Sequence, residues 1–89
     1  MIPRPPISLG YGETKNLAWD WSGELEERAT TLVTSAWEST DNNVTITNKT
    51  ITGNKAKATI TAAIDPIGSL RNTVTLANGE TLIASAYYL

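Results

Sequence analysis

A chain of 89 residues has room for one domain with one small core, burying about 60–65% of the surface its unfolded form exposes. With 40% hydrophobic residues, 18% charged residues and a net charge of −2, it is composed as a globular protein, and nothing basic supports nucleic-acid binding. Cys and His are both absent, which excludes disulfides and removes the usual zinc, iron and copper ligands.

The opening Met1-Ile2-Pro3-Arg4-Pro5-Pro6 contains no apolar run of the signal-peptide kind. Nowhere does the chain approach the ~20 apolar residues that cross a bilayer, so a soluble protein without a membrane partner is expected. Pro3, Pro5 and Pro6 fix φ at about −65° and drive their neighbours extended. Residues 1–12 are therefore predicted as a stiff N-terminal arm with no core of its own, ahead of a folded domain over 13–89. A disordered leader is the plainer alternative. Exposed Ile and Leu are an aggregation liability unless covered, so Ile2, Pro5, Pro6, Ile7, Leu9 and Tyr11 are candidate contacts with a neighbouring subunit.

From Lys15 onward the pattern is that of strands. Leu17-Ala18-Trp19-Asp20-Trp21 alternates, placing Leu17, Trp19 and Trp21 on one face. Ser22-Gly23 ends that strand, and Glu24–Arg28 is too short for more than a turn or one helical turn. A Thr- and Val-rich strand runs from about Ala29 to Trp37, and Asp41-Asn42-Asn43 makes the next turn. Val44 and Ile46 point inward, and the phase then slips across Asn48-Lys49, which predicts a bulge or short turn. Gly53-Asn54 reads as a tight hairpin. Lys55–Ile64 sets Ala56, Ala58, Ile60, Ala62 and Ile64 against an opposite face of Lys and Thr.

Asp65–Ser69 breaks the pattern with turn chemistry. Leu70–Ala77 then turns Leu70, Val74 and Leu76 inward. Asn78-Gly79 predicts a type I′ hairpin, whose two central residues both take positive φ. Glu80–Leu89 completes it, with Leu82, Ala84, Ala86 and Tyr88 on one face and Ile83, Ser85, Tyr87 and Leu89 on the other. Tyr87 and Leu89 are further candidate contacts, since a final strand edge or aromatic patch can join a neighbouring chain. Six short strands at roughly 8–12-residue spacing predict an all-β fold, an immunoglobulin-like antiparallel β-sandwich.

Chemistry finds little purchase. Carboxylates are the only groups that could pair for acid–base work. Asp20, Glu24, Glu26 and Glu27 cluster in sequence and Asp41 could lie near them, but Glu24, Glu26 and Glu27 lack calcium-loop spacing. With no His, no Cys, no nucleophile elbow and no phosphate-cradling glycine loop, neither catalysis nor a cofactor is expected. Asn43-Val44-Thr45 and Asn48-Lys49-Thr50 match the glycosylation pattern, which Thr- and Asn-rich chains produce by chance. Phe is absent, so Trp must supply the large core side chains. Trp37 is assigned to the core, and Trp19 and Trp21 are expected to be at least partly buried; an exposed pair would instead suit a carbohydrate-binding module.

Asp20-Trp21-Ser22 with Leu25, Ser35-Ala36-Trp37, Val44-Thr45-Ile46, Ala58-Thr59-Ile60, Gly68, Asn72–Thr75 and Gly79-Glu80-Thr81 follow one another in an informative order. That order resembles small immunoglobulin-like proteins of tailed bacteriophages, of the fibre–tail adaptor type. The likeness covers nearly the whole chain after residue 12. It departs in the acidic segment Glu24–Arg28 and at Asp65–Gly68. The resemblance implies a virion structural protein assembled in the host cytoplasm, part of a symmetric multi-copy assembly, joining fibre to tail or lying at the head–tail junction. Its partners would be other virion proteins. A capsid decoration protein is the neighbouring alternative, and the resemblance carries over no catalytic residue.

Overall fold

The two-residue rhythm after Lys15 is realised as paired strands. The computed structural model describes all 89 residues, Met1–Leu89, and contains seven strands and one helix. These are β1 (Ile2–Pro3), β2 (Thr14–Asp20), α1 (Ser22–Arg28), β3 (Leu32–Ser39), β4 (Val44–Thr52), β5 (Lys55–Ala62), β6 (Ser69–Leu76) and β7 (Thr81–Tyr87). One sheet has the order β1-β7-β6-β3 and the other β2-β5-β4. Every pairing is antiparallel except that of β1 with β7. The two sheets pack as a sandwich, each burying one face against the other.

The core lies between them. β5 contributes Ala56, Ala58, Ile60 and Ala62, and β6 contributes Leu70, Val74 and Leu76. All three tryptophans are buried with them, Trp21 completely. The small alanines make room: Ala56 sits opposite Trp19 in the ladder, and Trp19 packs on Trp37 with ring centroids 4.9 Å apart at 52°. Asn72 shares the inward face of β6 and is fully buried. It accepts a hydrogen bond from Trp21 Nε1 (3.1 Å) and donates to Ser35 Oγ (2.8 Å) and the Ala36 carbonyl (3.0 Å). One amide thereby satisfies a core tryptophan and ties the end of β2 to β3. Trp37 Nε1 has no such partner.

Four expectations need correction. Residues 1–9 were expected to lack a core, yet they form the edge of the first sheet. Ile2 and Pro3 pair with Ala84 and Ser85, the Arg4 N–H bonds to the Ser85 carbonyl and the Ile7 N–H to the Tyr87 carbonyl. Ile7 and Leu9 are buried in the chain's own core. Proline suits this edge, because the N–H groups it lacks are not needed there. Second, α1 makes about two turns and ends at Ala29, whose φ of 50° and ψ of 49° are left-handed, so β3 begins only at Leu32. Third, β5 stops at Ala62 and leaves Ile64 exposed. Fourth, only Gly79 of the Asn78-Gly79 pair has positive φ. The Gly79 N–H bonds to the Leu76 carbonyl and the Leu76 N–H to the Glu80 carbonyl, a three-residue loop with a glycine bulge in place of type I′.

The bulge in β4 lies where the phase slip placed it. Register shifts between Thr47 and Thr50, and Asn48 takes a φ of 50°.

Candidate functional site

β2, β4 and β6 begin, and β3, β5 and β7 end, at the same end of the sandwich. Residues 8–13, 40–43, 63–68 and 88–89 are therefore gathered there. Their polar groups are spent on one another. The Asp41 carboxylate accepts hydrogen bonds from the Asn43 N–H (2.9 Å), the Asn43 side-chain amide (3.0 Å) and, through its other oxygen, the Ile67 N–H (3.0 Å). Those bonds favour the charged form and hold its pKa below the ordinary carboxylate value. Thr40 Oγ1 accepts the Ser69 N–H at 2.8 Å, and a Cβ at Gly68 would overlap that hydroxyl. Gly68, with a φ of 97°, is thus required by conformation and by space. Tyr88 shares a 2.7 Å hydrogen bond with Ser39, and partial burial raises its phenol pKa.

On this braced platform sit exposed apolar side chains. Tyr11, Ile64, Ile67, Tyr87 and Leu89 account for five of the seven large hydrophobic side chains the molecule leaves in solvent, Ile67 and Leu89 each at 79% exposure. The segments that build this end contain Glu13, Asp41 and Asp65 but no Lys or Arg. Of these acids Glu13 and Asp65 are exposed, while Asp41 is buried in the frame. An exposed apolar surface is the mark of a protein-binding site when it is rigid and rimmed by polar groups.

The residues singled out in the sequence separate. Tyr11, Tyr87 and Leu89 come together at this end. Ile7 and Leu9 are core, Ile2 is half-buried against it, and Pro5 and Pro6 are exposed beside β2. The sequence reading missed Ile64, which continues the alternation of β5 in letters but not in space, and Ile67. Ile67 had a signal: an isoleucine between Pro66 and Gly68, in a segment with turn chemistry, has no strand to bury it.

The carboxylates do not converge. Asp20 lies at the opposite end from Asp41, accepting the Ser22 N–H at 2.8 Å, which with the Ser22 side chain lowers its pKa. No three His, Cys, Asp or Glu side chains form a metal-sized group. Arg4 lies over the Trp21 ring, 4.7 Å from its centroid, and 4.0 Å from Glu24 Oε1. No helix is long and apolar enough to cross a membrane. Comparisons with protein-family models, with curated proteins and with solved structures return no match.

Proposed function

We propose that this protein is a bacteriophage virion structural protein of the fibre–tail adaptor kind, which joins larger components through protein–protein contacts. The observation that carries the reading is the end of the sandwich that leaves Tyr11, Ile64, Ile67, Tyr87 and Leu89 exposed on a hydrogen-bonded frame. A rigid surface loses little entropy on docking, so its apolar area is available for affinity.

The architecture supports an immunoglobulin-like reading. In order along the chain, β2, β5 and β4 take the places of strands B, E and D, and β3, β6 and β7 those of C, F and G. β1 lies beside β7 as an A strand shifted to the opposite sheet, and Trp37 on β3 matches the buried Trp of strand C. The carbohydrate-binding alternative has lost its observation, since Trp19 and Trp21 are both buried.

The test replaces Ile67 and Tyr87 together by Ser and follows incorporation into particles. Both side chains point into solvent, so the unfolding free energy should stay within ~0.5 kcal/mol of the parent. Incorporation should fall at least tenfold. A folded variant that enters particles normally would overturn the reading. Copy number per particle then separates an adaptor ring from a decoration protein spread over the shell.

A further inference from the structure

The three long outer strands of the sandwich are β3 in one sheet and β2 and β4 in the other, and their edges differ. β3 slips register between Leu32 and Thr34, and β4 between Thr47 and Thr50. Bulges of this kind twist an edge away from further pairing. β2 has none: it pairs with β5 in unbroken register from Thr14↔Thr61 to Asp20↔Lys55.

The ladder also fixes which way the backbone of β2 points. The Trp21 N–H bonds to the Asn54 carbonyl at 2.9 Å, and the Ala62 N–H to the Glu13 carbonyl at 3.0 Å. In that phase the odd-numbered residues exchange bonds with β5, while Asn16 and Ala18 turn N–H and C=O outward. None of the chain's own backbone groups takes them up. Beside this edge runs a groove of about 370 Å³, with β2 as one wall and Arg4–Ser8 as the other. It lies where a fourth strand of the second sheet would run, over the segment that edges the first. Its charged side chains are Arg4, Lys15 and Asp20. The Arg4 guanidinium is enclosed against the Trp19 and Trp21 rings and stands 4.0 Å from Glu24 Oε1, so its charge is already spent within the chain. Asp20 lies at the far end of β2 opposite Lys55, which leaves Lys15 as the cation of the groove with no ion-pair partner.

We propose that β2 is an acceptor edge: an extended segment of a partner polypeptide, carrying a carboxylate, adds to it as a fourth strand and sets that carboxylate against Lys15. Main-chain bonds to Asn16 and Ala18 supply the register, and Lys15 supplies the preference for acid. This edge shares none of the exposed apolar side chains of the candidate site, and the inference holds whether or not the partner is a virion protein.

The experiment selects peptides from a random nine-residue display library on the full chain, then follows backbone amide exchange with the selected peptides bound. Binders enriched in Asp or Glu, which slow exchange at Asn16 and Ala18, are expected. Ala18→Pro is the decisive variant. Its N–H is outward, so proline removes no bond to β5, yet its ring occupies the place of the incoming strand. Affinity should fall at least tenfold while the thermal midpoint changes little. Lys15→Glu keeps the test alive if proline unsettles the strand, and should weaken acidic binders about tenfold. Failure to select any binder, protection confined to the Tyr11–Ile67 end, self-association through β2 in place of peptide binding, or affinity indifferent to both substitutions would each overturn the proposal.

Discussion

Asn72 shows how much one buried amide can carry. Its Oδ1 is the partner of Trp21 Nε1, and its Nδ2 reaches Ser35 Oγ and the Ala36 carbonyl, all inside the sandwich. Asn72→Ala would leave the indole N–H of a fully buried tryptophan unsatisfied and open a small void. The expected loss is about 2–3 kcal/mol in urea unfolding, with the slope of the transition unchanged. A loss under ~1 kcal/mol would mean that water enters and replaces the amide. In the sequence Asn72 is the residue that alternation ought to have marked, since Leu70, Val74 and Leu76 fix its face. A polar letter in an apolar phase is easily passed over, although it is the position where a buried hydrogen bond must exist.

Among the elements, α1 and the N-terminal segment show where local reading ends. Alternation located β2, β4, β5, β6 and β7 to within a few residues, and the phase slip located the β4 bulge, because both are consequences of backbone geometry. The fate of residues 1–9 is decided by long-range pairing with β7, which proline content cannot reveal. Ile7 and Leu9 looked like contacts for a neighbour and serve the core, so deleting the segment would strip the sandwich as well as shorten it. For the same reason the candidate site was legible only at Tyr11, Tyr87 and Leu89; Ile64 and Ile67 join them through a connection between sheets. α1 offers a sharper test. Ala29 caps it in a left-handed conformation, its N–H bonding to the Glu26 carbonyl, and alanine pays a Cβ clash that glycine does not. Ala29→Gly should therefore stabilise the protein by about 0.5–1 kcal/mol, a rise of several degrees in the thermal midpoint for a domain this small. An unchanged or lower midpoint would contradict the cap geometry.

At the scale of the molecule, the end that carries the exposed apolar side chains is held by a carboxylate, so its integrity should follow pH. Asp41 bonds the turn after β3 to the connection between β5 and β6, and its pKa is lowered in the fold by the N–H groups of Asn43 and Ile67. A lowered folded pKa means that Asp41 contributes stability above the ordinary carboxylate range, and that this is lost as pH falls through the folded value. Asp20, lowered by Ser22 at the opposite end, acts in the same direction. Tyr88 sets the alkaline side: burial raises its pKa, so its contribution is complete below the ordinary tyrosine range and fades as pH rises through the folded value. Stability against pH should accordingly be a plateau with an acid shoulder and an alkaline one. Asp41→Asn keeps the shape of the side chain but removes the charge that three donors favour, so it should lower the neutral plateau. Its acid shoulder should be shallower than the parent's, with the two curves converging as pH falls. Urea midpoints across that range decide the matter, because curves that stay parallel would show that Asp41 fastens nothing and that the apolar end is held by its backbone turns alone.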